Sequence, residues 1–171
     1  GLYLPVFDSH TFNTTLRLGT ILGPTVPDFF DFYLGGLIGM KAYPFYAISG
    51  NEIAWLNFTY RFPLFRNIDT RAGHLYIDKK LLSFNADIGN AWNKDATTIE
   101  DFKKGLGAEL RIQLSSYYLF PTSVFVSASY GFDEFKRNVN NEIVTYGKEW
   151  NLYAGILFGF EILNFNKSSK F

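Results

Sequence analysis

The chain contains no cysteine. That excludes disulfide staples, thiolate nucleophiles and cysteine-ligated metals. It has only two histidines, His10 and His74, far apart in sequence. Two distant imidazoles make a poor metal centre. Asp8, Ser9 and His10 are consecutive, and neighbours in sequence do not make a catalytic triad. No catalytic residue, no metal and no cofactor is therefore expected. Charge of one sign is missing too: 16 basic residues cancel 16 acidic ones. Nothing in that balance points to nucleic acid as a partner. No apolar run reaches the length of about 18 residues that a transmembrane helix needs. No basic-plus-apolar leader opens the chain. The glycines at 35, 36 and 39 lack the strand–turn–helix context of a phosphate loop. The opening run Gly1-Leu2-Tyr3-Leu4-Pro5 reads like the end of an element already under way, so the chain is expected to be a mature form or a piece of something longer.

What the chain has in excess is aromatic residues, 19% of the total. Such an excess suits large sheets and the aromatic girdles of membrane barrels. Period-2 alternation recurs along it. In 11–22, Phe12, Leu16 and Leu18 share one side, while Asn13, Thr15 and Arg17 share the other. In 52–64, Ile53, Trp55, Asn57, Thr59 and Arg61 face away from Ala54, Leu56, Phe58, Tyr60 and Phe62, and Pro63 is expected to end the strand. In 81–92, Leu82, Phe84, Ala86 and Ile88 oppose Ser83, Asn85, Asp87 and Gly89, with a separate strand start at 75–77. In 106–116, Leu106, Ala108, Leu110 and Ile112 oppose Gly107, Glu109, Arg111 and Gln113, a face too polar for a protein core and suited to a wet lumen. Strands are also expected over 2–7, 123–132 and 150–160, with a tight turn at Pro121-Thr122. Short connections alternate with long ones at 23–51, 93–104 and 133–148. No helical period is convincing. A soluble half-buried sheet reads the same alternation, but its strands are usually nearer 5–6 residues.

The expected fold is all-β, an antiparallel transmembrane β-barrel forming one domain over 1–171. It comprises either the C-terminal strands of a larger barrel or a small closed barrel of about 8 strands. The connection 23–51 is expected to fold inward, and 161–171 to form a polar tail.

Four runs add a family resemblance. They are Lys41-Ala42-Tyr43 preceded by Gly35-Gly36, then Thr59-Tyr60-Arg61-Phe62-Pro63-Leu64, then Phe84-Asn85-Ala86-Asp87-Ile88-Gly89-Asn90-Ala91-Trp92, then Gly105-Leu106-Gly107-Ala108-Glu109-Leu110-Arg111. In this order, over about 11–160, they resemble the C-terminal barrel region of the Omp85 superfamily, the bacterial surface-antigen class that includes the barrel assembly factor. In that family an inward-folded loop carries Arg-Gly-Tyr or Arg-Gly-Phe, and its arginine is clamped by acidic groups on the barrel wall. Here lysine replaces the arginine, alanine the glycine, and Thr59 a glutamate. Lysine supplies a point charge rather than a bidentate fork.

The resemblance implies Lys41, Tyr43, Arg61 and Asp87 as loop and lumen contact candidates, with a Lys41–Asp87 contact. It implies an integral protein of the bacterial outer membrane, without enzymatic activity. Its task would be outer-membrane protein assembly, or translocation of polypeptide or lipid-linked cargo. Partners would be outer-membrane lipid, and substrate polypeptides or subunits of an envelope complex. A non-transporting anchor of such a complex is the alternative, and a lipid-modifying enzyme a distant third. Gly155 and Gly159 in the closing strand either weaken its pairing or relieve crowding in the wall.

Overall fold

The computed structural model describes residues 1–7, 9–22, 27–65, 70–73, 75–93, 98–116, 120–139 and 142–158. Within them the chain is all-β: β1 (Leu2–Phe7), β2 (His10–Thr20), β3 (Phe32–Tyr33), β4 (Ser49–Gly50), β5 (Glu52–Phe65), β6 (Thr70–Ala72), β7 (Leu75–Trp92), β8 (Lys103–Ser116), β9 (Phe120–Gly131), β10 (Phe135–Val139), β11 (Glu142–Tyr146) and β12 (Trp150–Phe158). Two single turns of 3₁₀ helix, at Asp28–Phe30 and Ile99–Asp101, interrupt the long connections.

The main sheet is an antiparallel meander in the order β1-β2-β5-β7-β8-β9-β12, with β6 following β5 along the same edge of β7. Among the described residues β1 and β12 do not pair, so the sheet is open and the small closed barrel does not form. The physical reason is strand number: seven positions lie along this path, and single-chain barrels close with at least eight strands.

The register puts like with like. Asn13 lies opposite Thr59, Thr59 opposite Asn85, Asn85 opposite Gly107, Gly107 opposite Ser129 and Ser129 opposite Asn151. One row of small and polar residues thus crosses six strands on one face. Central rows on the other face are apolar, as in Tyr60, Phe84, Ala108, Ala128 and Leu152, while charges such as Glu52, Lys80 and Lys104 stand toward its ends. Burial follows the reverse of the soluble rule. Ser83, Asp87, Glu109 and Ser129 are all at most 5% exposed, while Phe84, Leu106, Val126 and Ile156 are 49–58% exposed.

The polar face is covered by the chain's own connection between β2 and β5. Leu34, Met40, Ala42, Tyr43, Ala47 and Ile48 of this loop form one buried cluster with Ile53, Trp55 and Ala91 of the sheet. Its turns are closed internally by Gly36 N–H to Tyr43 O at 2.8 Å and Met40 N–H to Leu34 O at 2.7 Å. The loop lies so close to the wall that a Cβ at Gly105 would collide with the Ala42 methyl, and one at Gly131 would press on Ala42 O and the Tyr43 ring. Glycine in these strands is the space through which the loop passes. The described part of 23–51 packs on the polar face of the sheet, while 23–26 lie outside the described residues.

Several spans differ from the sequence expectation. Residues 75–92 form one strand of 18 residues rather than two pieces, because a bulge between Ile77 and Lys79 absorbs the polar interruption. Pro63 does not end β5: it pairs opposite Leu81, and the register shifts just after it. Pro121-Thr122 is no turn; Pro121 is the second residue of β9, opposite Ser115, a strand-start position where a missing N–H is tolerated. The connection 133–148 folds into the two-stranded ribbon β10–β11. Gly159, His74 and the tail 161–171 lie outside the described residues.

The close packing has a direct consequence. Gly105→Ala is expected to destabilise the protein by about 1–3 kcal/mol, the usual cost of overpacking, and to render the loop sensitive to protease. Adding Ala42→Gly removes the methyl that the new Cβ meets, so the double variant recovers most of the stability in denaturant titration. Failure of that rescue contradicts the stacked geometry.

Candidate functional site

The alternation that buries polar side chains places four ionisable groups of the sheet, Arg61, Asp87, Glu109 and Arg111, under the loop. Glu109 of β8 is almost fully enclosed, and its two oxygens are divided between two cations. Lys41 Nζ, reaching down from the loop, donates to Oε2 at 2.6 Å. Arg111, two residues on along the same face of β8, donates to Oε1 through Nε at 3.0 Å and Nη2 at 2.7 Å. A carboxylate this enclosed needs such partners, since an unpaired buried charge costs several kcal/mol. The flanking Gly107 has no side chain to occupy this wall, and its place is filled by the Ser129 hydroxyl and the Asn85 amide.

Asp87 sits on the same wall with a different set of partners. Trp55 Nε1 and Asn57 Nδ2 donate to Oδ1 at 3.0 and 2.8 Å, and Asn85 Nδ2 donates to Oδ2 at 3.1 Å. All three donors are neutral. The Lys41–Asp87 contact implied by the resemblance is therefore not made; Lys41 takes Glu109 instead. The reason lies in the rows. Asp87 is opposite Asn57 and beside Trp55, which already satisfy it, whereas Glu109 is opposite Ser83 and Ser127, whose hydroxyls carry no charge.

Arg61 joins this wall, its Nε donating to Ser83 Oγ at 3.1 Å. Lys41, Arg61, Asp87, Glu109 and Arg111 together line a cavity of about 160 Å³ beneath the loop residues Leu37 to Gly39. Three of these five, Lys41, Arg61 and Asp87, are among the expected contact candidates; Glu109 and Arg111 were placed on the polar face of 106–116 but not as partners of the lysine.

Tyr43 anchors the other side of the loop. It is fully buried, its hydroxyl donating to Lys104 O at 2.9 Å and accepting from Asp133 N–H at 3.2 Å. Burial foremost, with the nearby Asp133 charge, pushes its pKa up to about 12 against the opposing pull of the Asp133 N–H. Two further clamps were not foreseen. Asn151 Nδ2 of β12 donates to Ala42 O at 2.9 Å, and Arg137 of the ribbon donates to the Tyr46 and Ala47 carbonyls. Gly155 faces this wall as well, where a Cβ would touch the Phe125 ring at 2.9 Å. It makes room for an aromatic neighbour.

Chemically this is a holding site. It fixes a loop across a sheet through one shared carboxylate, one buried phenol and main-chain clamps. Among the described residues no group of three or more His, Asp or Glu could hold a metal ion, and no helix is long and apolar enough to cross a membrane, which says nothing of strands. No family model matches the chain, and no curated protein or solved structure matches it significantly.

Two outcomes test the site. In a double-mutant cycle in denaturant, Lys41→Met and Glu109→Gln are expected to couple by about 0.5–3 kcal/mol, and Lys41→Met with Asp87→Asn by clearly less. Equal coupling contradicts the pairing. The second concerns alkaline pH. A phenol whose pKa rises from 10.0 to about 12 on folding favours the folded form fully below pH 10, and that contribution is lost as pH rises through 12. Tyrosine absorbance and loop proteolysis are expected to show this late transition in the parent and not in Tyr43→Phe.

Proposed function

We propose that this chain supplies strands to an outer-membrane β-barrel of the Omp85 type. The barrel would serve outer-membrane protein assembly or the translocation of polypeptide or lipid-linked cargo. The observation that carries the reading is the inversion of the sheet: its polar face is sealed under its own loop and its apolar face is bare. In water an exposed apolar surface of that extent marks a partner or a membrane. In lipid it is the ordinary outer surface of a barrel, with the alternate residues lining the interior.

Three further features support it. From 82 to 88, 106 to 112, 124 to 130 and 152 to 158, no residue on the apolar face is charged. Aromatics gather toward both ends of that face: Trp150, Tyr130 and Phe132 pack together near the long connections, and His10, Tyr60 and Phe62 near the short turns. Such belts mark the two interfaces of a membrane barrel. The main strands have 9 to 18 residues, and about 9–11 tilted residues cross the hydrocarbon layer. The Omp85 assignment itself rests on the four runs, and on a loop that carries its cation, at the place of the family arginine, onto an acidic group of the wall. In this reading the free edges of β1 and β12 are closed by strands from outside the described sheet, and lipid is the standing partner.

Trp150 is 67% exposed on the apolar face and Trp55 is 7% exposed on the polar one. In vesicles of chain-brominated lipid, a variant retaining only Trp150 is expected to lose several-fold more fluorescence than one retaining only Trp55. Equal quenching, or none at Trp150, overturns the membrane reading.

A further inference from the structure

Below the loop, toward the short turns, a second and larger cavity of about 460 Å³ opens on the polar face, lined by Ser9, Thr11, Arg61, Pro63, Lys79, Leu81 and Gln113. Arg61 lines both cavities. Across the two, four cations (Lys41, Arg61, Lys79, Arg111) face two carboxylates, Asp87 and Glu109. The lower cavity itself contains cations and no carboxylate.

The disposition of these charges is uneven. Glu109 is fully engaged by Lys41 and Arg111, and Asp87 by its three neutral donors. Arg61 makes no ion pair among the described residues. Its Nε is held by the Ser83 hydroxyl, and a guanidinium has further N–H donors in a fixed fork. Among the described residues Lys79 pairs with Asp78, 3.7 Å away with both side chains nearly half exposed, a water-screened pair of little strength. The register fixes their spacing. Arg61 lies opposite Ser83, and Lys79 stands four residues before Ser83 on β7, about 13 Å along the strand. Both side chains line the same cavity, so a group held in it meets both. Thr11, directly opposite Arg61, and Gln113, directly opposite Lys79, supply neutral donors at the same two levels.

We infer that this lower cavity is a binding site for a phosphate-type oxyanion, with Arg61 as the fork, Lys79 as the point charge, and Thr11 and Gln113 as neutral donors. An arginine fork fits phosphate oxygens geometrically, and charge-assisted hydrogen bonds are the strong ones. The cavity exceeds the volume of a bare phosphate and has Pro63 and Leu81 in its wall. It therefore also accommodates a phosphate carried on a small organic group. The site rests on the barrel reading only in being enclosed; its residues belong to the described sheet.

The test is isothermal titration of inorganic phosphate into the full chain in a zwitterionic detergent, with chloride held fixed. Saturable binding is expected, weakened at least fivefold by Arg61→Gln and by Lys79→Gln, and weakened by added salt. Arg17→Gln removes a guanidinium that stacks on Trp55 and lines neither cavity, and is expected to leave binding unchanged. Displacement of bound phosphate by a short-chain phosphatidic acid assigns a lipid headgroup as a source; binding without displacement assigns the free anion. Absence of saturable binding, or equal affinity in the parent and in both cavity variants, overturns the site. Quenching of Trp150 by brominated lipid reads the barrel separately. Normal quenching without phosphate binding counts against the site alone, and lost quenching in the parent counts against the barrel.

Discussion

Side chains along a strand alternate between faces, so a sheet cannot bury its polar side without baring its apolar one. Everything else in this molecule follows from which side the loop chose. Leu34, Met40 and Tyr43 lie against the face that carries Ser83, Asp87 and Glu109. The price is a covered surface full of groups that demand hydrogen bonds, and a bare surface of Phe84, Leu106, Val126 and Ile156. A soluble protein of this composition gains by the opposite choice. The observed one is favourable where the surroundings of the bare face are themselves apolar, because in a bilayer every strand group must be satisfied within the protein and the side chains need not be.

The loop is held by interactions suited to a polar contact. Glu109 is removed from water, and two cations on opposite sides of it restore what solvation is lost. Lys41 comes from the loop and Arg111 from the wall, so loop and sheet share one carboxylate. Asp87, two rows away, is served by indole and amide donors. The Tyr43 hydroxyl reaches the Lys104 carbonyl and the Asp133 backbone, which brings the connection before the ribbon β10–β11 into the same assembly. Arg137 and Asn151 close on the loop's main chain from the ribbon and from β12. Two connections far apart in sequence are thus tied to each other and to β8 and β12 on the polar face.

Much of this was legible in the residues. The face assignments on 52–64, 81–92 and 106–116 hold position by position, since a period of two leaves no ambiguity once one residue is placed. That 23–51 is functional or folds back on the protein was readable from its length. What the alternation could not give was pairing across the sheet. Lys41 belongs to a loop with no period, so its partner depends on how far the loop reaches, and Glu109 and Asp87 are equivalent by face alone. Only the register, which sets Glu109 opposite Ser83 and Asp87 opposite Asn57, separates them. Prolines misled in both places: Pro63 and Pro121 looked like breaks, and each sits near a strand end where its missing N–H is harmless. Sheet closure was likewise unreadable, because each strand pattern is the same whether its neighbour is next in this chain or elsewhere.

The decisive measurement is spin-label accessibility scanned residue by residue from 82 to 88 along β7, in lipid vesicles. The account requires labels at 82, 84, 86 and 88 to meet oxygen dissolved in the lipid, and labels at 83, 85 and 87 to be shielded from it. Accessibility without that two-residue rhythm, or with the rhythm reversed so that 83, 85 and 87 meet the lipid, would contradict the account at its root.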